Sequence, residues 1–229
     1  MNERNFQKLM DEELSMDGAK EKTLLLHACC APCSSHCLTY LEEKIKIKVL
    51  YYNPNIVEKD EYEKRANELE RLVKILNKEY PKASIEFILG SFEPEKFIEA
   101  VKGLEKEPEG GKRCEKCFEL RLREAARIAK AEGADYFTTT LTISPLKNAK
   151  LLNEIGERIA KEEGIKWLFS DFKKKEGYKH SVELSKKYDL YRQNFCGCPY
   201  SKFPSPRGAQ KVRWTFALRR PERSEDRCP

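Results

Sequence analysis

Short apolar runs alternate with longer amphipathic stretches along most of the chain. Residues 23–28, "TLLLHA", are an apolar run of strand length. "IKIKVLYYNPN" alternates, then turns fully apolar, and predicts a second strand closing at Asn53-Pro54-Asn55. "ASIEFILG" predicts a third strand, "ADYFTTTLT" a fourth and "IKWLFSDF" a fifth. Helical periodicity fills the intervals. A helix is expected from Pro32 to about Glu43, with proline in its first turn. Residues 58–79 carry Leu69, Leu72, Val73 and Leu76 at helical spacing. A short helix is expected over 94–103. The flexible "PEGGKR" loop then delivers Cys114 to a helix over 115–132, whose Ala125, Ala126 and Ala129 permit close packing. Further helices are expected over 147–163 and 177–188, and no internal repeat is visible.

Strands alternating with helices predict parallel βαβ units. The expected fold class is α/β: a Rossmann-like, doubly wound, mostly parallel five-stranded sheet with helices on both faces. In such sheets ligands collect at the carboxyl ends of the strands. "HACC", "NPN", "RCEKC", "TLTISP" and "SDFKKKEG" each follow a predicted strand, so all would line one rim. The expected organisation is an N-terminal extension (1–22), a single α/β catalytic domain (23–204) with a metal site on that rim, and a basic C-terminal tail (205–229).

Composition adds a compartment and a charge. Hydrophobic residues at 40% suffice for a core, and charged residues at 36% imply a well-solvated surface. No apolar run approaches the roughly eighteen residues of a membrane helix. The start, "MNERNFQKLMDEELSMDG", lacks the apolar stretch of a secretory signal, so a cytoplasmic protein with no membrane partner is expected. The net charge is +6, with seven Lys/Arg against three Asp/Glu in residues 205–229. A basic tail suits nucleic acid, because cations displace counterions from phosphate; it equally suits a solubilising end.

The nine cysteines change the picture most. In a reducing compartment, clustered cysteines point to metal or redox chemistry, and an odd number fits a disulfide framework poorly. Cys114 and Cys117 stand three apart at a helix start, on one face, where the helix terminus favours thiolate. C-x-x-C alone leaves zinc, iron–sulfur and dithiol open. Cys29-Cys30 sits at a strand-to-helix turn that can aim both sulfurs forward. Two and two make four thiolates, the usual set for a [4Fe–4S] cluster, and structural zinc accepts the same four. Cys196-Gly197-Cys198 admits either a small strained disulfide, easily reduced, or two more metal ligands. Cys33 and Cys37, four apart on the first helix, read as small packed groups or as further site thiols, and Cys228 as inert. His27 reads as a hydrogen-bonded core histidine or as a ligand.

Other rim groups carry candidate roles. Asp171 is a candidate metal ligand or proton shuttle, or else a loop carboxylate. Tyr191-Arg192-Gln193 can meet a phosphate or a base edge. Thr139 lies at a strand end and Asn53 in the "NPN" turn, both within reach of a substrate on the rim.

Together "HACCAPCS", "YYNPNI", "RCEKCFELRLREAA", "YFTTTLTISPLKN", "DFKKKEGY" and "LYRQNFCGCPYS" resemble the QueH family of epoxyqueuosine reductases over about residues 23–202. The resemblance implies an oxidoreductase of tRNA processing in queuosine biosynthesis. It implies reduction of the epoxide of epoxyqueuosine to queuosine, without cobalamin. It implies a [4Fe–4S] cluster on Cys29, Cys30, Cys114 and Cys117, with Cys196 and Cys198 as a redox-active, disulfide-forming pair. An additional adjacent iron, served by some of these cysteines and a carboxylate such as Asp171, is also implied. Lys173 stands where the family pattern carries arginine. The implied partners are a tRNA, presented through its anticodon loop, and an electron donor.

The expected architecture also resembles that of the nucleotide α-hydrolase and PP-loop enzymes. Those place a Ser-Gly-Gly-x-Asp-Ser loop after the first strand; "ACCAPC" has no glycine there to wrap a phosphate. Two alternatives remain at this point: a structural zinc protein that binds tRNA without catalysis, and an ATP-dependent PP-loop-like tRNA-modifying enzyme. Tyr51, Tyr52, Tyr191 and Phe195 are candidate stacking platforms for bases. Lys112, Arg113, Lys173, Lys174 and Arg192 are candidate phosphate contacts.

Overall fold

The computed structural model describes residues 4–201. The expected tail 205–229 and Cys228 lie outside them. The chain runs α1 (Phe6–Leu14), β1 (Thr23–Ala28), α2 (Ala31–Leu41), β2 (Lys46–Tyr51), α3 (Lys59–Glu79), β3 (Ile85–Leu89), α4 (Pro94–Ala100), α5 (Lys112–Ala131), β4 (Tyr136–Thr139), α6 (Ala149–Glu163), β5 (Lys166–Trp167) and α7 (Gly177–Lys187).

The five strands form one parallel sheet in the order β3-β2-β1-β4-β5. The order reverses between β1 and β4, and this switch point is where such sheets open a crevice beyond their carboxyl ends.

Period-two alternation divides the core. Leu24, Leu26 and Ala28 of β1 join Val49, Tyr51 and the Leu69, Leu72, Val73 and Leu76 stripe of α3 on one face. Leu25, Leu50 and Phe137 face the opposite layer, with Leu122, Ala125, Ala126 and Ala129 of α5 and Leu152, Ile155 and Ile159 of α6. Full burial of those alanines brings α5 close to the sheet. The segment preceding β1 also packs on the first face, through Met10 and Leu14 of α1.

Three expected elements change. The fourth strand stops at Thr139, and Thr140–Ile143 turn into a 3-10 helix capped by the Thr139 hydroxyl accepting from Leu141 N–H at 3.2 Å. The fifth strand pairs only over Lys166–Trp167: after one more main-chain bond, from Leu168 N–H to the Phe137 carbonyl at 3.0 Å, the chain turns to side chains, with Asn153 Oδ1 accepting from Ser170 N–H at 3.1 Å. Cys114 stands inside the first turn of α5 rather than in the loop before it.

Candidate sulfur-lined site at the switch point

β1 ends in Ala28, and Cys29-Cys30 make the turn into α2, with Cys30 as its N-cap and Pro32 in its first turn. The sulfurs of Cys29, Cys30 and Cys33 lie within 4.8 Å of one another, a group able to hold a metal ion. Of the two readings open for Cys33, packed group or site thiol, the structure supports the second: the first turn of α2 carries it back over the adjacent pair. Thr140 Oγ1 accepts from Cys29 N–H at 3.3 Å and donates to Cys29 Sγ at 3.6 Å, which ties the end of β4 to the same turn.

Cys114, Cys117, Cys196 and Cys198 line one cavity of about 100 Å³, together with Arg121, Lys147 and Leu146. All eight described cysteines are free thiols. The C-x-C turn is held from α3: Arg65 Nη1 donates to the Cys196 carbonyl at 3.1 Å while Glu61 Oε1 accepts from Arg65 Nε at 2.7 Å. Gly197 sits at φ +99°, a left-handed conformation that favours glycine, and a Cβ there would stand 2.7 Å from Ile56.

Arg121 joins the two sulfur groups, and sequence reasoning missed it. It is buried, its Nη2 donates to Asn53 Oδ1 at 2.6 Å, and its Nη1 donates to Cys117 Sγ at 3.9 Å. Asn53 Nδ2 in turn donates at 3.0 Å to the carbonyl of Ala28, the residue preceding Cys29. The signal was present: Arg121 follows Cys117 by four, one turn along the same helix face. Lys147, half-buried at the cavity wall, is a second cation that was missed. Asn55 is a third omission: its Nδ2 lies 3.9 Å from Cys196 Sγ, and its Oδ1 is a buried acceptor without a donor among the described residues.

Charge is unevenly shared. Cys30 and Cys33, donating to Cys29, with Lys147 and Arg121 nearby, hold the Cys29 thiol well below its usual range. Its bond to Cys29, with burial, pushes the Cys30 thiol up to about 12. Burial pushes Cys117 to about 12 and Cys198 to about 11. Burial works against the Lys147 ammonium, but Cys196, Cys29 and Cys33 hold it above its ordinary value. The site is therefore a set of soft sulfur donors facing two cations, a chemistry that suits iron–sulfur or zinc.

The remaining candidates fall on or near this rim. Asp171 is buried and ion-paired with Lys173 at 2.8 Å. Hydroxyl contacts of Ser170 with Thr138 at 3.2 Å and Thr142 at 3.1 Å bind its segment to the end of β4. Thr139 and His27 are buried together, with Thr139 Oγ1 2.8 Å from His27 Nδ1. Tyr191 is strapped to α3: Glu68 accepts its N–H at 2.7 Å, and Lys64 Nζ stands 3.6 Å from its ring centroid. Arg192 is exposed and donates to Ser185 Oγ at 3.0 Å, while Gln193 leaves Oε1 without a donor among the described residues.

Three expected nucleic-acid contacts are corrected. Tyr51 and Tyr52 are core residues on opposite faces of the sheet: Tyr51 is the last residue of β2, Tyr52 follows it, and alternation sends one ring into each buried layer. Arg113 is buried and spends its guanidinium on the carbonyls of Leu104, Glu105 and Glu107.

Residues 24–203 match the model of a family described as "Epoxyqueuosine reductase QueH". This chain belongs to the QueH family. Similar proteins carry the same description. One from Staphylococcus epidermidis is 42% identical over 202 residues, 86% of this chain and 84% of that protein. One from Streptococcus pyogenes is 41% identical over 200 residues, 86% of this chain and 78% of that protein. One from Thermotoga maritima is 38% identical over 181 residues, 78% of this chain and 90% of that protein. The QueH match begins inside β1 and runs past Cys198, so it spans both sulfur groups. No helix among the described residues is long and apolar enough to cross a membrane.

Proposed function

We propose that this chain is an oxidoreductase that converts epoxyqueuosine in tRNA to queuosine at the sulfur-lined cavity, with residues 23–204 as the catalytic domain. Family membership supports the reaction. One structural observation supports the place: Cys29, Cys30 and Cys33 are linked through Asn53 and Arg121 to the cavity that holds Cys114, Cys117, Cys196 and Cys198.

The reaction takes up two electrons and two protons, breaks both bonds to the epoxide oxygen, and releases an alkene and water. Cys29, Cys30, Cys114 and Cys117 are the proposed ligands of a [4Fe–4S] cluster. When bound, that cluster, with or without an adjacent iron, supplies single electrons and a Lewis-acidic site. Cys196 and Cys198 are the proposed redox couple. Oxidation of the two thiols to a disulfide releases two electrons and two protons, the amounts that the epoxide consumes. An external electron donor restores the dithiol. Asp171 keeps a candidate role as proton carrier or iron-binding carboxylate; its ion pair with Lys173 is the contact that such a role must displace.

The tRNA is proposed to approach along the exposed cations of this end, Lys112, Lys174 and Arg192, with Tyr191 as a stacking surface. Thr139 and Asn53, both buried and hydrogen-bonded within the protein, would act by shaping the rim beneath the base. We propose a cytoplasmic location, in keeping with a tRNA substrate.

The test is anaerobic incubation with a low-potential reductant and tRNA bearing epoxyqueuosine, followed by nucleoside analysis. Queuosine should replace epoxyqueuosine. Unchanged epoxide, with a folded and metal-loaded protein, would refute the activity.

A further inference from the structure

Arg121 presents an electrostatic problem. Its side chain is among the largest fully buried ones of the described residues. Its polar neighbours among the described residues are the Asn53 carboxamide oxygen at 2.6 Å, the Cys117 sulfur at 3.9 Å and the His27 Nε2 nitrogen at 3.4 Å. None of these is a carboxylate. A guanidinium stays protonated and is costly to bury without an anion. The only groups within its reach that can become anions are cysteine sulfurs: Cys117, Cys29 and Cys196 act on its charge once they are deprotonated, as metal binding requires. Its fork also has a definite aim. One arm holds Asn53, which holds the Ala28 carbonyl just before the Cys29-Cys30 turn; the other reaches the C-x-x-C of α5. It thus touches the supports of both thiol pairs, which are remote in sequence.

We propose that Arg121 is the positioning residue of the sulfur site: it fixes the Cys29-Cys30 turn against the Cys114–Cys117 turn and supplies the buried counter-charge for the metal–thiolate centre. The inference rests on the cluster assignment above. Four thiolates around a [4Fe–4S] core leave net negative charge, and a fixed cation beside it favours the more negative, reduced state. Arg121 therefore raises the reduction potential. In the metal-free protein the same guanidinium keeps only the Cys29 sulfur as a partial counter-charge, so its charge contributes less there.

A merely structural arginine behaves differently, because its loss weakens the loaded and metal-free proteins alike. The experiment compares wild type, Arg121→Gln and Arg121→Lys after anaerobic reconstitution with iron and sulfide. It reads iron per chain, the midpoint potential by an electron paramagnetic resonance titration, and Tm with and without metal. Arg121→Gln should move the potential downward and shrink the gain in Tm on loading, with little loss of Tm in the metal-free form. Arg121→Lys should return the potential toward wild type. A folded, loaded Arg121→Gln protein with unchanged potential would overturn the proposal. So would variants that lose Tm, or fail to fold, equally with and without metal. Wild-type protein that takes up no iron would overturn the cluster assignment itself, and this inference with it.

Discussion

Thr139 Oγ1 stands 2.8 Å from His27 Nδ1, and the opposite ring nitrogen decides which of the two donates. A carbonyl only accepts, so the 3.0 Å contact with Tyr52 places the hydrogen on Nε2 and leaves Nδ1 to accept from Thr139. Arg121 Nε, 3.4 Å from Nε2, is then an electrostatic neighbour. Burial, followed by the Arg121 charge, pushes His27 down to about 3 from 6.5. Between those two pH values the unfolded chain binds a proton that the folded protein refuses. Stability should therefore be intact above about pH 6.5 and fall progressively as the pH drops toward 3, by up to about 5 kcal/mol for this group. Urea titrations at pH 7, 5.5 and 4.5 (chosen as ~1-unit steps across that window) check it. His27→Gln should flatten the slope, and an equal slope in both proteins would contradict the assignment.

The thiols should sort into two classes. Serine at Cys29, Cys30, Cys114 or Cys117 should lower bound iron and abolish turnover together, because each removes a proposed ligand. Serine at Cys196 or Cys198 should leave iron intact and cost at least about 100-fold in turnover, the scale of losing a covalent or redox group. Iron analysis beside the tRNA assay separates the classes; iron loss in the second class would make that pair ligands.

Away from the site, Gly156 of α6 lies against Trp167 of β5. A Cβ at Gly156 would stand 2.4 Å from the indole ring. The ring cannot easily retreat, since Nε1 donates to Asn153 Oδ1 at 2.9 Å and the ring packs edge-on to Phe137. Gly156→Ala should cost about 1–3 kcal/mol through overpacking. Denaturant unfolding reads the loss, and iron per folded chain should stay unchanged.

Binding of tRNA should weaken with salt. If Lys112, Lys174 and Arg192 meet phosphates, each contact should add roughly 0.7–0.9 to the slope of log K against log salt. Charge reversal at Lys174, exposed beyond Asp171, should lower that slope by about one contact without altering iron content. A salt-insensitive affinity would remove the electrostatic part of the account.

Much of the scaffold could be read from the chain. The period-two and period-3.6 patterns located the strands and helices because both faces of the sheet bury strictly alternating residues, as in Leu24, Leu25 and Leu26. Parallel topology then placed the thiols on one rim. Element ends were harder to read. Thr140 is as β-branched as Thr138 and Thr139, yet it leaves the ladder because its hydroxyl serves Cys29. Tyr51 and Tyr52 look like stacking surfaces until the sheet buries both. Arg121 and Lys147 look like solvated charges, and only the three-dimensional convergence of sulfurs gives them buried partners. Cys33 needed the actual turn of α2 to come within reach of its neighbours.

These cysteines are proposed to hold iron and move electrons. Iron, sulfide and zinc analysis of wild-type protein prepared without oxygen tests it most directly, with the visible spectrum recorded before and after dithionite. About four iron and four sulfide per chain are expected, with a brown protein and partial bleaching on reduction. A colourless protein with stoichiometric zinc and no sulfide would contradict it.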